Sequence, residues 1–158
     1  MDKAITTGLL LIASIVAAMA LINAVLPAMG KSSGALLSAN SAASDRVRTD
    51  IEVVHVAADT SPGGEDQIFV WVKNIGPHTI DAIESSDLFL TTPTEVKRVS
   101  YASGSEYWDY QVENGTTWSQ AVTVKFTLHL ANGSVTAGVY NINVAVYNAV
   151  NSSKDFSV

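Results

Sequence analysis

The sequence predicts one membrane-spanning helix followed by an all-β sandwich of the immunoglobulin-like type. Two observations carry this prediction. The 27 residues between Lys3 and Lys31 include no Asp, Glu, Lys, Arg or His, and about 20 apolar residues suffice to cross a bilayer core as a helix. From residue 50 onward, apolar side chains recur at every second position, which is the period of a strand with one buried face.

The N-terminal segment, residues 1–30, is expected to be the membrane helix. Its apolar run is longer than the core of a cleaved secretory signal, so we expect it to be retained. Pro27 is expected to kink the helix or mark its end. Residues 31–48 keep an approximately helical spacing of apolar positions and form either a helical stalk or a flexible linker, of which the sequence favours the helix.

Residues 49–158 are expected to form the β-sandwich. Strands are predicted at 50–57, 68–75, 79–83, 87–91, 96–101, 107–112, 122–130, 140–146 and 153–158. They are separated by turn residues, at 61–64, Gly76-Pro77, 113–115 and Asn132-Gly133. Many short strands in about 110 residues are typical of an immunoglobulin-like sandwich. The bulk of the core is expected from Trp71, Trp108, Phe126 and Tyr140.

The charge distribution excludes one class of partner. Residues 49–158 contain 5 basic and 13 acidic side chains, a net charge of −8, whereas residues 1–48 carry +2. Because an acidic domain repels phosphate backbones, the sequence argues against nucleic-acid binding. The chain has no Cys, so it contains neither a disulfide framework nor a thiolate site.

No motif for catalysis or cofactor binding is found. The three histidines, His55, His78 and His129, have no metal-ligand spacing, and an acidic stretch at 81–87 has no graded set of oxygen ligands. Neither a nucleophile motif nor a phosphate-binding loop occurs. We therefore expect a protein that is not an enzyme, with no cofactor, no metal and no small-molecule substrate.

The orientation in the membrane rests on two opposed signals. Lys31, Arg46 and Arg48 outnumber Lys3, and the positive-inside rule would place the β-domain in the cytoplasm. Glycosylation acceptor triplets begin at Asn114, Asn132 and Asn151, and such sites serve exterior domains. Together with a composition typical of exterior β-domains, they favour a C-terminal domain outside the cell, with these asparagines as glycosylation candidates.

Several segments carry a family resemblance. They are the N-terminal run at 5–28, DRVRTDIEVVH at 45–55, FVWVKNIG at 69–76, IE at 83–84, SDLF at 86–89, YW at 107–108 and ENGTTW at 113–118. In this order they cover most of the chain, which resembles the FlaG family of archaeal flagellar accessory proteins.

The resemblance implies a component of the archaellum, the rotary swimming filament of archaea. It implies a membrane-anchored, stator-like protein that works with a FlaF-like β-sandwich partner. It further implies self-association and contacts with other archaellum components and the surface layer. The alternative is a pilin- or archaellin-like filament subunit that polymerises through its N-terminal helix. Lys3-Ala4 before Ile5 resembles the leader of such subunits, so Ala4 and Ile5 mark the candidate cleavage point that separates the two hypotheses.

The candidate partner interface follows from strand alternation. If Trp108 and Tyr110 point into the core, then Tyr107, Asp109 and Gln111 point outward. Tyrosine is enriched at protein interfaces, and the unpaired edges of an open sandwich invite strand addition. Tyr101 and Tyr147 are the residues that would extend this patch, depending on the strand order.

Overall fold

The structure is a computed structural model that describes residues 2–60 and 64–158. Its first element is the helix α1, Asp2–Arg48, which continues through Pro27. The helix is long and apolar enough to cross a membrane by length and composition. The hydroxyls of Thr6 and Thr7 donate to carbonyls four residues earlier, each at 2.7 Å. The Ser14 hydroxyl donates to the Leu11 carbonyl, three residues earlier, at 2.8 Å. These polar groups are therefore satisfied without help from water.

The chain divides into two compact units, residues 1–43 and 44–158. The second unit begins within the last turn of α1, and hydrogen bonds hold that turn to the β-domain. The Asp45 carbonyl accepts from both the backbone and the hydroxyl of Thr49, at 2.9 and 2.7 Å, and the Arg48 carbonyl accepts from the His78 N–H at 3.2 Å. The Asn148 amide donates to the Thr49 hydroxyl at 2.7 Å. Two of the four carbonyls that a helix leaves unpaired at its C-terminus, those of Asp45 and Arg48, thus find partners.

Eight strands make up the β-domain. They are β1 Ile51–Asp59, β2 Asp66–Asn74, β3 Asp87–Thr91, β4 Val96–Tyr101, β5 Tyr107–Val112, β6 Thr123–Leu130, β7 Val139–Ala145 and β8 Asn151–Ser157. The predicted bounds of β3, β4 and β5 agree with the structure. The turn expected at 61–64 falls largely outside the described residues.

The strands follow the order β1-β2-β6-β5-β4-β3-β7-β8. All neighbours are antiparallel except β4 and β5, which are parallel and share only the pairs Ser100–Tyr107 and Tyr101–Trp108. This short join divides the sheet into two layers, β1-β2-β6-β5 and β4-β3-β7-β8. The predicted helix followed by a β-sandwich is confirmed, and the immunoglobulin-like description is approximate because the sheet is almost closed into a barrel.

The second seam of the sandwich lies between β1 and β8, the two ends of the strand order. The Val53 N–H donates to the Ser152 hydroxyl at 3.1 Å, and the Lys154 ammonium donates to the Val54 carbonyl at 2.7 Å. Side chains of β8 therefore form hydrogen bonds with backbone groups of β1 that would lack partners at an open edge. The expectation of an open sandwich is wrong at this seam.

The core lies between the two layers and is centred on aromatic rings. Trp108, Trp118 and Phe126 are each 0% exposed. Phe126 makes edge-on contacts with both indoles, at centroid distances of 5.4 and 5.7 Å. The predictions for Trp108, Phe126 and Tyr140 are confirmed. The prediction for Trp71 is wrong, because Trp71 is only half-buried, on the side of β2 that faces away from the core.

The strand predicted at 79–83 does not form. A single bridge joins Ile80 to Trp118, with the Ile80 N–H donating to the Trp118 carbonyl at 3.0 Å, and a 3₁₀ turn follows at Ile83–Ser85. Ile80 and Ile83 are buried, so the apolar residues that suggested a strand do pack into the core. They do so from an irregular segment, because no neighbouring strand offers it a ladder.

Candidate partner-binding face

The side of the β1-β2-β6-β5 layer that points away from the core carries the candidate site. We call this surface the outer face. Its side chains come from alternate positions of the four strands, opposite the buried residues of each strand. The members that the argument uses are His55, Phe69, Trp71, Tyr107, Asp109, Gln111, Lys125 and His129.

Strand β2 explains why this face is aromatic. Ile68, Val70 and Val72 are fully buried, whereas the alternating Phe69 and Trp71 lie on the outer face and are half-buried. An apolar strand of this kind is normally covered on both sides. Among the described residues of the β-domain, the core covers only one side of β2. The two large rings on the other side therefore remain partly exposed.

Aromatic contacts run across the strands at the centre of the outer face. The Trp71 ring lies 5.3 Å from the His55 ring and 6.1 Å from the Phe69 ring, measured between centroids. The Lys125 ammonium lies 6.0 Å from the centre of the Phe69 ring, at the limit for a cation–π contact. These contacts fix the rotamers of the rings in advance, which lowers the entropic cost of binding.

A second group on the outer face surrounds His129. The Tyr107 ring stacks on its imidazole at 4.5 Å and 13°. The His129 Nε2 lies 3.2 Å from an Asp109 carboxylate oxygen, and the Nδ1 lies 3.5 Å from both a Glu65 carboxylate oxygen and the Gln67 amide nitrogen. Two carboxylates therefore bracket one imidazole, and Tyr107 is held flat against it.

Gln111 completes the β5 side of the outer face. It is exposed and pairs across the sheet with Lys125, whose ammonium lies 3.6 Å from the Glu113 carboxylate. Tyr107, Asp109 and Gln111 therefore share one face, and the first two join a single cluster around His129. The structure places all three predicted residues where a partner can reach them.

Tyr101 and Tyr147 do not belong to this face. The Tyr101 ring packs 4.8 Å from Trp108 and 6.1 Å from Tyr110. Burial, together with the nearby Glu84 carboxylate, raises the pKa of the Tyr101 hydroxyl, and the same two causes raise the pKa of Tyr110. The prediction that Tyr101 extends the patch is therefore not supported by its position.

Tyr147 lies instead beside the end of α1. Its hydroxyl is 2.9 Å from the His78 Nε2, and the His78 Nδ1 is 3.9 Å from an Asp45 carboxylate oxygen. Burial raises the pKa of Tyr147, with smaller contributions from Asp45 and Asp81. This tyrosine supports the helix junction and does not touch the outer-face clusters.

The three glycosylation candidates, Asn114, Asn132 and Asn151, are all exposed. Asn114 already serves its turn, since its side-chain oxygen accepts from the Thr123 N–H at 2.7 Å. Asn132 lies in the turn after β6 and Asn151 begins β8. All three positions remain candidates for glycosylation.

Among the residues that the structure describes, no group of three His, Asp or Glu side chains is placed to hold a metal ion. A cavity lies beside the β3–β4 turn, lined in part by Leu90, Lys97 and Tyr140. The hydrogen bond from Lys97 to Glu106 raises the pKa of the Lys97 ammonium, so Lys97 stays protonated and does not act as a base.

The outer face, in contrast to this cavity, presents aromatic and charged side chains over an extended area, which suits the recognition of a protein surface.

Sequence reasoning found the β5 part of this face and missed the rest. Phe69 and Trp71 indicate this face in the sequence. In a simple two-layer sandwich only one side of a strand faces the core, so a strand that is apolar on both sides has a second apolar surface on its outer side. His55, Lys125 and His129 gave no signal in the sequence. They join the face only through the order β1-β2-β6-β5.

Comparison with known families identifies the chain. The sequence model of archaeal-type flagellin matches residues 3–157. The chain belongs to the archaeal-type flagellin family. A curated relative from Archaeoglobus fulgidus, described only as an uncharacterized protein, is 27% identical over 161 residues, covering 98% of both chains.

Solved structures share the fold. The archaellum periplasmic stator protein FlaG from Sulfolobus acidocaldarius has a TM-score of 0.56 at 20% identity, covering 68% of this chain and 99% of that one. FlaG in complex with FlaF, from the same organism, gives 0.56 at 19% identity, with 68% and 89% covered. The archaeal flagellin FlaB1 from Methanocaldococcus jannaschii gives 0.57 at 12% identity, with 70% and 90% covered. The FlaG-like fold that the sequence resemblance implied is confirmed by these structures, and the family shown by the sequence is that of archaeal-type flagellin.

Proposed function

We propose that this protein is a membrane-anchored, stator-like component of the archaellum motor. In this role α1 holds the protein in the membrane, while the β-domain docks on a FlaF-like partner and so links the motor to the cell envelope. The observation that carries the proposal is the outer face, where the large rings of Phe69 and Trp71 are only half-buried on a strand that is apolar on both sides.

The choice of partner has separate support. The solved stator complex of Sulfolobus acidocaldarius, whose fold this chain shares, contains FlaF together with FlaG. Trp and Tyr are the residues that most often dominate binding energy at interfaces, and the outer face supplies Trp71 and Tyr107 on neighbouring parts of one layer. A second β-domain would offer a surface of comparable size to this four-stranded layer.

The β-domain is proposed to lie outside the cell. Asn114, Asn132 and Asn151 are exposed and sit in acceptor triplets, as an exterior glycoprotein requires. When α1 spans the bilayer, the residues before it and the β-domain after it lie on opposite sides of the membrane. This position is the one in which the β-domain can meet envelope components.

The partner proposal is tested with two substitutions on the outer face, Trp71→Ala and Tyr107→Lys. In titration calorimetry of the full chain in detergent against the FlaF-like ectodomain of the same organism, each is expected to weaken affinity by at least about tenfold, because truncated aromatic anchors typically cost about 2 kcal/mol or more. Cells with either variant are expected to make filaments that rotate poorly.

The matched control is Val139→Lys, which places the same charge at an apolar side chain that is 68% exposed on the other layer. It is expected to bind as the parent does. If both outer-face variants fold and bind as tightly as Val139→Lys, the outer face is not the contact.

The second candidate function is a filament subunit. Membership of the archaeal-type flagellin family and the fold shared with FlaB1 favour it. A filament subunit must lose its charged leader before its helix can leave the bilayer, so the bond between Ala4 and Ile5 is the point of difference. A static anchor has no such requirement.

Mass spectrometry of the protein purified from native membranes separates the two functions. For the stator-like anchor we expect an N-terminal peptide that retains Lys3 and Ala4, together with glycopeptides that include Asn132. An N-terminus at Ile5 would favour the filament subunit instead. Unmodified asparagines combined with protection of the β-domain from external protease would reject the exterior position.

A further inference from the structure

Strand β5 has an unpaired edge that the rest of the sandwich does not use. Its pairing with β4 stops after Trp108, whereas its pairing with β6 continues from Tyr107 to Val112. Within residues 64–158, no strand pairs with 109–112 on the β4 side. The second half of β5 is thus firmly held on one side and open on the other.

The direction of the backbone groups shows which of them face this opening. The Trp108 carbonyl points away from β6, since it accepts from the Ala102 N–H at 3.0 Å, and the Glu113 N–H points toward β6, since it donates to the Thr123 carbonyl at 3.0 Å. Because backbone groups alternate along a strand, those of Tyr110 and Val112 point outward. They form a short ladder with no partner in the described part of the β-domain.

Every other strand that borders a seam carries a device that discourages strand addition. Strand β1 has a bulge between Val53 and His55, and the Lys154 side chain of β8 caps the Val54 carbonyl. Strand β4 carries Lys97 and Arg98. Lysines and bulges are the usual protections of exposed edges. Residues 109–112 have no Lys, Arg, Pro or bulge, which distinguishes this edge from the others.

Carboxylates flank the open edge. Asp109 is exposed within it, and the Glu84 carboxylate lies close enough to raise the pKa of Tyr110. No ion pair to a Lys or Arg is found for either carboxylate among the described residues. With a net charge of −8 on residues 49–158, the approach to this edge favours a cation-bearing partner.

We propose that the open edge of β5 accepts one strand from a partner β-domain whose docking edge is basic. The added strand pairs with the backbone of Tyr110 and Val112, while the lysines or arginines on its outer side face Asp109. The inference rests on the proposed function only for the identity of the partner, since the edge itself is defined by the pairing of β5.

The test uses short, end-blocked peptides of alternating valine and lysine, or alternating valine and glutamate, added to the full chain in detergent. Amide hydrogen exchange by nuclear magnetic resonance is expected to show protection of the Tyr110 and Val112 amides with the lysine peptide alone. The affinity is expected to fall as salt is raised, because the charge contribution is screened. Equal protection by the glutamate peptide, or binding that leaves both amides unprotected, overturns the proposal.

The informative variant is Val112→Pro, which removes an outward N–H from an edge position that proline tolerates. Val112→Thr keeps the N–H and the side-chain shape and is the matched control. We expect Val112→Pro to weaken the affinity for the lysine peptide by at least about tenfold and Val112→Thr to leave that affinity unchanged. Equal binding by both variants rejects strand addition. If the peptide protects the edge but the FlaF-like ectodomain does not bind, the edge stands and the proposed function fails.

Discussion

Replacing Phe126 with alanine is expected to produce one of the largest losses of stability of any single truncation in the β-domain. Phe126 is 0% exposed and contacts the rings of Trp108 and Trp118. The two indoles come from different segments and cannot close over the space that the phenyl ring leaves, so a cavity remains. We expect a loss of about 3–5 kcal/mol, which lowers the melting temperature by roughly 15 °C, measured by circular dichroism.

The control for this experiment is Thr123→Ala on the same strand. Thr123 lies on the outer face and is half-buried, whereas Thr127 on that face is only 8% exposed and is a poorer control. Thr123 keeps its backbone bonds when its side chain is shortened, so a change below about 1 kcal/mol is expected. Similar losses for Phe126→Ala and Thr123→Ala would mean that the facing of β6 is wrong.

Replacing Gly76 with alanine is expected to have the second largest effect. An added Cβ would lie 2.5 Å from both the Arg48 carbonyl oxygen and the Asp50 nitrogen. Both are backbone atoms at the junction of α1 and β1. The Arg48 carbonyl is held by the His78 N–H, and the Asp50 peptide is held by the bonds that the Ile75 and Gly76 N–H groups donate to its carbonyl, so movement of either atom strains these bonds. We expect a loss of about 3 kcal/mol in denaturant unfolding of the β-domain.

Gly34→Ala is the control for the change in residue type. Nothing lies within 4 Å of a Cβ at Gly34, which is in the middle of a helical segment. Alanine is favoured over glycine there by about 1 kcal/mol, and unfolding of the β-domain should be unaffected. Normal stability of Gly76→Ala would show that the junction opens without cost, contrary to its hydrogen bonds.

The strands with strict alternation could be predicted from the sequence nearly to the residue. In β5, Trp108 is buried between the exposed or half-buried Tyr107 and Asp109, so the period alone fixes both bounds and facing. In β2 the period fails to fix the facing, because Phe69 and Trp71 are as apolar as Val70 and Val72, with which they alternate. The sequence therefore predicts burial of Trp71 that the structure does not show.

Trp118 and the segment at 79–83 show a different limit. Trp118 is fully buried but follows the turn after β5, outside any alternating run, and its one strand-like contact is the bridge to Ile80. A residue that enters the core from an irregular segment has no periodic signal. Neither its burial nor the absence of a strand at 79–83 could be deduced without the tertiary contacts.

The candidate site divides in the same way. Tyr107, Asp109 and Gln111 share a face because they lie two residues apart on one strand, which the sequence alone establishes. Their neighbours His129 and Lys125 come from β6, and these contacts depend on a pairing register that no local pattern encodes. The register between strands that are distant in the sequence therefore could not be predicted from one sequence.

The division of the three tryptophans between two environments has an optical consequence. Trp108 and Trp118 are fully buried against the Phe126 ring, and their indole N–H groups find no hydrogen-bond partner among the residues that the structure describes, so their emission belongs at the short-wavelength end of the indole range. Trp71 is half-buried on the outer face beside the His55 ring, so its emission lies further to the red and responds to quenchers added to the solvent. The intrinsic fluorescence therefore has two separable components. The short-wavelength emission of Trp108 and Trp118 reports whether the core is intact, and the longer-wavelength emission of Trp71 reports whether the outer face is covered.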